Sequence, residues 1–190
     1  MKKMIIAAAI VCAAAFAPAA TVGWTGAGMN SYAGDAYKFF VIGQNGADIS
    51  TVTTALNEGK SVDSLQFGSG VVLSNGAINM TPAASGKTLD AGSYTAFYVL
   101  FDAAAPASGK NKYVLISGQS GLTKEVSDTT ASVTFGAANV SSVVNNADNW
   151  KSFGEAAPGP GPDPIDTPEP TSGLLLLVGG AMLALRRKQK

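Results

Sequence analysis

The sequence has no histidine, one cysteine and little charge. Of its 190 residues 14% are charged, and 13 Lys and Arg balance 13 Asp and Glu. Without histidine the chain lacks the usual general base near neutral pH and the commonest metal ligand. The one cysteine, Cys12, lies in an N-terminal apolar run. A disulfide framework and thiol catalysis are therefore both excluded, and we expect no cofactor and no metal.

Positive charge is concentrated at the two ends of the chain, where six basic residues lie: Lys2, Lys3, Arg186, Arg187, Lys188 and Lys190. Between them, residues 20–155 contain seven lysines and ten acidic residues, which gives a net charge of −3. Nucleic-acid binding requires a basic surface that neutralises phosphates. The acidic central part therefore argues against a nucleic-acid partner.

The first 19 residues have the three-part layout of a secretory signal peptide. Two lysines come first, an apolar run follows over 4–16, and small residues close the segment. Ala17 and Ala19 form the small-x-small pair of a cleavage site, which predicts removal of 1–19 by the secretion machinery. A permanent membrane anchor is the alternative. The run of 13 apolar residues falls short of the roughly 20 that span a bilayer.

The C-terminal 35 residues also fall into three parts. Residues 156–170 contain six prolines and predict an extended linker, because proline fixes φ and lacks the N–H. Residues 171–185 are uncharged and apolar, and the basic residues Arg186, Arg187 and Lys188 follow. A helix over 171–185 would be about 22 Å long, shorter than the roughly 30 Å hydrocarbon core.

The order of Pro168-Glu169-Pro170, an apolar segment and Arg186-Arg187-Lys188 resembles the PEP-CTERM sorting signal of exported proteins in Gram-negative bacteria. The resemblance implies a partner, exosortase, which recognises the tail in the membrane and cleaves near the Pro-Glu-Pro. It also implies that 171–185 holds the protein transiently in the inner membrane as a transmembrane helix before release to the cell surface or matrix. A role with exopolysaccharide in biofilms is a further implication. An ordinary tail anchor, kept rather than cleaved, is the alternative.

Residues 20–155 form the predicted exported domain, which the resemblance does not cover. Their β-branched and aromatic runs between turn residues predict a mainly β domain, a single antiparallel β-sandwich with at most one short helix. The predicted strands are 36–42, 70–73, 77–80, 93–102, 112–117 and 131–135, with 140–144 as a possible further strand.

Two of these strands carry information about their environment. The run 93–102 is apolar on both faces, which predicts a central strand covered on both sides. The run 131–135 alternates, with Val133 and Phe135 on one face and Ser132 and Thr134 on the other. That alternation predicts an outer strand with one face in water.

Two local motifs predict a turn and a helix. Ser74-Asn75-Gly76 lies between apolar runs and predicts a hairpin with a type I′ turn. Asp48 can cap a helix that places Ile49, Val52 and Leu56 on one face, and Gly59 can end it.

No recognisable catalytic cluster is present, so we expect a protein without enzyme activity. Asp90 and Asp102 flank the predicted central strand, and a hydrolase with an unfamiliar carboxylate pair remains one alternative. Calcium on scattered Asp side chains is also left open. Trp24 and Trp150 lie near the two ends of the domain. Packing anchors are favoured for them, and stacking on sugar rings in a carbohydrate-binding module is the alternative.

Overall fold

The computed structural model describes residues 19–154, which form a two-sheet β-sandwich with short helices. The elements are β1 (Ala20–Gly26), β2 (Ala36–Val41), α1 (Ile49–Asn57), β3 (Gly68–Val71), β4 (Ile78–Met80), α2 (Pro82–Ser85), β5 (Thr88–Leu89), β6 (Gly92–Phe101), β7 (Lys112–Ile116), β8 (Thr123–Val126), β9 (Ser132–Ala137), α3 (Ser141–Val144) and β10 (Lys151–Ser152). The predicted mainly β sandwich-like class is confirmed. Within residues 19–154, no helix is long and apolar enough to cross a bilayer.

The first sheet, sheet A, is built around β1. β1 pairs antiparallel with β5 at its start and with β4 at its end, and it pairs parallel with β9 from Thr21 to Gly26. The parallel pair departs from the antiparallel expectation. It is possible because the chain between β1 and β9 builds the second sheet before it returns. β9 buries Val133 and Phe135 and exposes Ser132 and Thr134, as predicted.

The second sheet, sheet B, has the strand order β10-β7-β6-β2-β3, and β8 pairs with the first part of β6. β2 and β7 flank β6, both antiparallel to it. The six residues Ala96–Phe101 of β6 are all buried. The prediction of a central strand covered on both sides is therefore confirmed for this part of β6.

The alternating side chains of β6 belong to two different apolar clusters. Ala96, Tyr98 and Leu100 lie in the core between the sheets, against β1 and β9. Phe97, Val99 and Phe101 lie on the outer face of sheet B, in a cluster that includes Val52 and Leu56 of α1. The protein therefore has three layers at this point, namely sheet A, sheet B and α1.

The predicted helix forms with the predicted cap. Asp48 accepts a hydrogen bond from the Thr51 N–H at 2.8 Å, and Val52 and Leu56 are buried. Gly59 follows the helix with φ of +67°, a conformation that favours glycine. The structure adds two one-turn helices, α2 and α3, that the sequence did not predict. α2 begins with proline at its first position, where the missing N–H costs nothing.

The turn at Ser74–Gly76 forms, but it does not join two strands of one sheet. The Leu73 N–H donates to the Ala77 carbonyl at 2.7 Å, and the Gly76 N–H donates to the Leu73 carbonyl at 2.9 Å. However, β3 pairs with β2 in sheet B, and β4 pairs with β1 in sheet A. The predicted hairpin is therefore wrong, because the chain uses this turn to cross between sheets.

The predicted turn type is also wrong. A type I′ turn needs positive φ at both central residues, but among the described residues Asn45 is the one non-glycine with positive φ. Gly76 alone provides the positive φ here, at +72°. A loop whose last residue is a glycine with positive φ is typical of three-residue turns rather than of the two-residue type I′ turn.

The segment 140–144, a possible strand from its sequence, instead forms α3. The Asn139 side-chain oxygen accepts hydrogen bonds from the Ser141 N–H at 3.0 Å and the Ser141 hydroxyl at 2.7 Å. Local bonds of this kind compete with strand pairing. Val140 and Val144 are buried, so their apolar character reflects core packing rather than a strand.

Candidate functional site

A pair of stacked aromatic rings lies at one end of the sandwich. Tyr32 belongs to a short 3-10 turn before β2, and Trp150 directly precedes β10. Their ring centroids are 4.9 Å apart with an interplanar angle of 27°. Both side chains pack against the inter-sheet core yet remain partly exposed. We call them the Tyr32–Trp150 pair.

The polar tips of the Tyr32–Trp150 pair converge on one acceptor. The Tyr32 hydroxyl donates to the Val144 carbonyl at 3.0 Å, and the Trp150 indole N–H donates to the same oxygen at 2.7 Å. Val144 is the last residue of α3, where carbonyls lack a partner within the helix. The two hydrogen bonds satisfy that carbonyl and fix the orientation of both rings.

Polar groups surround the Tyr32–Trp150 pair in a depression of about 250 Å³. Asp102, Lys112 and Asn145 contribute to its walls. Asp102 follows β6, and its carboxylate accepts a hydrogen bond from the Lys112 N–H at 2.8 Å. We call this the end depression. It combines aromatic surface with a carboxylate, an amine and an amide.

A second carboxylate, Asp35, lies near Asp102 but does not line the end depression. β2 and β6 are antiparallel with Tyr37 opposite Leu100, so the residue before β2 and the residue after β6 occupy the same end of sheet B. Burial raises the pKa of the Asp35 carboxyl, and the nearby charge of Asp102 raises it further.

The two acids that flank β6, Asp90 and Asp102, do not line a common depression. Among the described residues that line the end depression, Asp102 is the one acidic side chain. Asp90 precedes β6 and Asp102 follows it, so the 10 residues of this strand lie between them, a length of about 30 Å at roughly 3.3 Å per residue.

Trp24 and Trp150 have different environments. Trp24 is 2% exposed, stacks on Phe39 at 4.7 Å between centroids, and donates its indole N–H to the Tyr37 hydroxyl at 3.0 Å. Its packing role is confirmed, because the ring is enclosed in the core. Trp150, in contrast, is only partly buried.

The remaining predicted site residues lie mostly outside residues 19–154. These are Ala17, Pro168, Glu169, Pro170, Arg186, Arg187 and Lys188. Ala19, the last residue before the predicted cut, directly precedes β1. Within residues 19–154, no group of three or more Asp, Glu, Cys or His side chains could hold a metal ion. These residues therefore provide no calcium site of the kind left open above.

Comparison of the chain with protein-family models, with curated proteins and with solved structures found no match.

Proposed function

We propose that this is a non-enzymatic exported protein that exosortase sorts to the cell surface or extracellular matrix. The observation that carries the proposal is the three-part order of the C-terminus, with Pro168-Glu169-Pro170, the apolar 171–185 and Arg186-Arg187-Lys188. The N-terminal signal layout supports it, because a sorting tail has meaning only on a chain that is exported. A short apolar segment is a poor permanent anchor, but it suffices to hold the chain while an enzyme acts.

The position of β1 also supports the proposal. β1 begins at Ala20, whose side chain is fully buried and which pairs with Leu89. Cleavage after Ala19 would remove the signal without shortening this strand. A cut a few residues later would delete part of the strand that pairs with β4, β5 and β9.

Intact-mass measurement on the exported protein tests the proposal. We expect a mature form that begins at Ala20 and has lost the residues beyond about 170, and we expect it in the surface or medium fraction. Replacement of Pro168, Glu169 and Pro170 by alanine should leave the tail attached and the protein in the inner membrane. Replacement of Pro160 and Pro162 by alanine, in the same linker, is the control and should not alter processing.

A mature form that still ends at Lys190 would overturn the sorting proposal. Such a result would indicate that 171–185 serves as a lasting anchor.

A second candidate function is carbohydrate binding at the end depression. The observation that favours it is the Tyr32–Trp150 pair, whose rings are partly exposed and fixed by the Val144 carbonyl. Sugar sites combine aromatic surface with a few polar groups that fix orientation, and Asp102, Lys112 and Asn145 provide such groups here.

A glycan array followed by titration of any hit tests this candidate. Trp150→Ala should weaken binding at least tenfold, because it removes one of the two rings and leaves the Tyr32 ring without the ring on which it stacks. Trp150→Phe keeps an aromatic face and should retain more of the affinity. Leu73→Ala is the control, since Leu73 is 43% exposed and does not line the end depression. Absence of any glycan hit, or equal binding by Trp150→Ala, would remove the candidate.

A further inference from the structure

A second depression, of about 320 Å³, lies where the edge strand β3 of sheet B meets α2 and the start of β5. We call it the edge depression. It shares no lining residue with the end depression. Its walls include Gln66, Phe67, Ser69 and Lys87. Its volume is at the small end of the range for ligand sites, which favours a ligand of about one ring.

Gln66 lines the edge depression and carries an unused hydrogen-bond acceptor. Its side-chain oxygen Oε1 is buried and has no hydrogen-bond partner. Its backbone is fixed, because its N–H donates to the Val62 carbonyl at 3.1 Å. Rotation of the amide by half a turn would bury an N–H donor in place of the oxygen, so a partner is needed in either orientation. Buried polar groups normally have a partner, and an exception requires an explanation.

Lys87 provides an uncompensated positive charge at the same place. Its ammonium nitrogen lies 6.0 Å from the centroid of the Phe67 ring, within the range of a cation–π contact. Within residues 19–154, Lys87 forms no ion pair. The acid in the lining, Asp63, pairs with Lys38 and accepts a hydrogen bond from the Ser61 hydroxyl at 2.7 Å. The charge of Asp63 is therefore already balanced.

We propose that the edge depression binds a hydroxylated carboxylate, specifically a uronic acid residue of an acidic polysaccharide. The ligand's carboxylate would pair with Lys87. One of its hydroxyls would donate to the Gln66 oxygen, once a rotation of that side chain brings the oxygen to the surface of the depression. Ser69 also lines the edge depression, and its hydroxyl can bind a further ligand hydroxyl. A neutral sugar would leave the lysine unpaired, and a simple carboxylate would leave the Gln66 oxygen unpaired. The ligand thus needs both groups.

Calorimetric titration of the exported protein with glucuronate and a short oligouronate tests the proposal. Glucose and acetate are the probes that each lack one of the two groups. We expect glucuronate to bind at least tenfold more tightly than either. Lys87→Gln should reduce glucuronate affinity at least tenfold and leave the weak affinity for glucose unchanged. Lys110→Gln, at an exposed lysine outside the edge depression, is the matched control and should bind as the wild type.

Gln66→Met separates a binding role from a structural one. Methionine has a similar length and removes the unpaired acceptor, so the melting temperature should stay the same or rise while uronate affinity falls. A lower melting temperature with unchanged affinity would overturn the proposal. So would undetectable binding of glucuronate and oligouronate to the wild type, or equal binding by Lys87→Gln. Retained uronate binding in Trp150→Ala would support a site independent of the end depression.

Discussion

At the scale of single residues, the close approach of the Trp24 ring requires glycine at position 68. A Cβ on Gly68 would lie 2.5 Å from the Trp24 ring atom Cζ2 and closer still to Cη2. The ring cannot move away, because it stacks on Phe39 and its indole N–H is bonded to the Tyr37 hydroxyl. The φ of Gly68 is not positive, so the requirement for glycine comes from the contact rather than from the backbone conformation.

We therefore expect Gly68→Ala to destabilise the protein by about 1–3 kcal/mol, the usual cost of overpacking a filled core. Urea unfolding followed by tryptophan fluorescence measures it. Gly136→Ala is the matched control in β9, since its added Cβ would approach only the Thr25 hydroxyl at 3.2 Å, and Thr25 is exposed and can move. Equal stability of the two variants would show that the Trp24 ring has room to shift.

At the scale of elements, the segments with a clear periodic pattern could be predicted and the others could not. β6 was recognisable because both of its faces are apolar, and α1 because its cap and its buried face agree. β1 was missed because Gly23 and Gly26 interrupt it. Gly23 is required there, since an added Cβ would lie 2.6 Å from the Met80 carbonyl oxygen. That constraint comes from a neighbouring segment and has no local signal.

Of the two aromatic residues in the end depression, the sequence pointed to only one, because the contacts that bring them together have no local pattern. Trp150 stood out as one of two tryptophans, whereas Tyr32 lies in a short 3-10 turn without any periodic pattern. The two rings meet because α3 presents the Val144 carbonyl to both. The sequence of α3 and the residue before it is rich in valine, and β-branched residues favour strands. The sequence therefore predicted a strand here and not the helix that positions the pair.

The cap of α1 gives a prediction about pH. The hydrogen bonds from the Thr51 hydroxyl and then the Thr51 N–H lower the pKa of Asp48 to about 2. A lowered pKa in the folded state gives stability that is present above the unfolded pKa of about 3.9 and is lost as the pH falls through about 2. We expect the difference in unfolding free energy between wild type and Asp48→Asn to shrink between pH 4 and pH 2, measured by urea titration. Thr51→Val should remove most of this dependence, and a difference that does not vary with pH would contradict it.

At the scale of the whole molecule, buried tyrosine and tryptophan tips connect the two sheets. The Tyr98 hydroxyl of β6 donates to the Thr25 carbonyl of β1 at 2.9 Å. The Trp24 indole of β1 donates to the Tyr37 hydroxyl of β2 at 3.0 Å. A sandwich core made only of apolar contacts tolerates small sliding of one sheet over the other. These directional bonds fix the alignment, because a shift would leave buried polar groups without partners.

These buried hydroxyls make the sandwich sensitive to alkaline pH. Burial raises the pKa of Tyr98, and the nearby Tyr37 raises it further; burial also raises the pKa of Tyr37 and of Tyr113. An acid whose pKa is higher in the folded state contributes stability below its unfolded pKa of about 10, and this contribution is lost as the pH rises above that value.

Tyr98→Phe tests both the hydrogen bond between the two sheets and the loss of stability at alkaline pH. At pH 8 we expect a loss of about 1–3 kcal/mol, because the Thr25 carbonyl is left without its buried donor. Above pH 10 the wild type should lose stability more steeply than the variant, by up to about 1.4 kcal/mol per pH unit for one titrating group. Unfolding free energies measured from pH 8 to pH 11 give both quantities. Parallel curves of unfolding free energy against pH would mean that the Tyr98 hydroxyl ionises as easily in the folded protein as in the unfolded chain. The hydrogen bond to the Thr25 carbonyl could not then fix the alignment of the sheets.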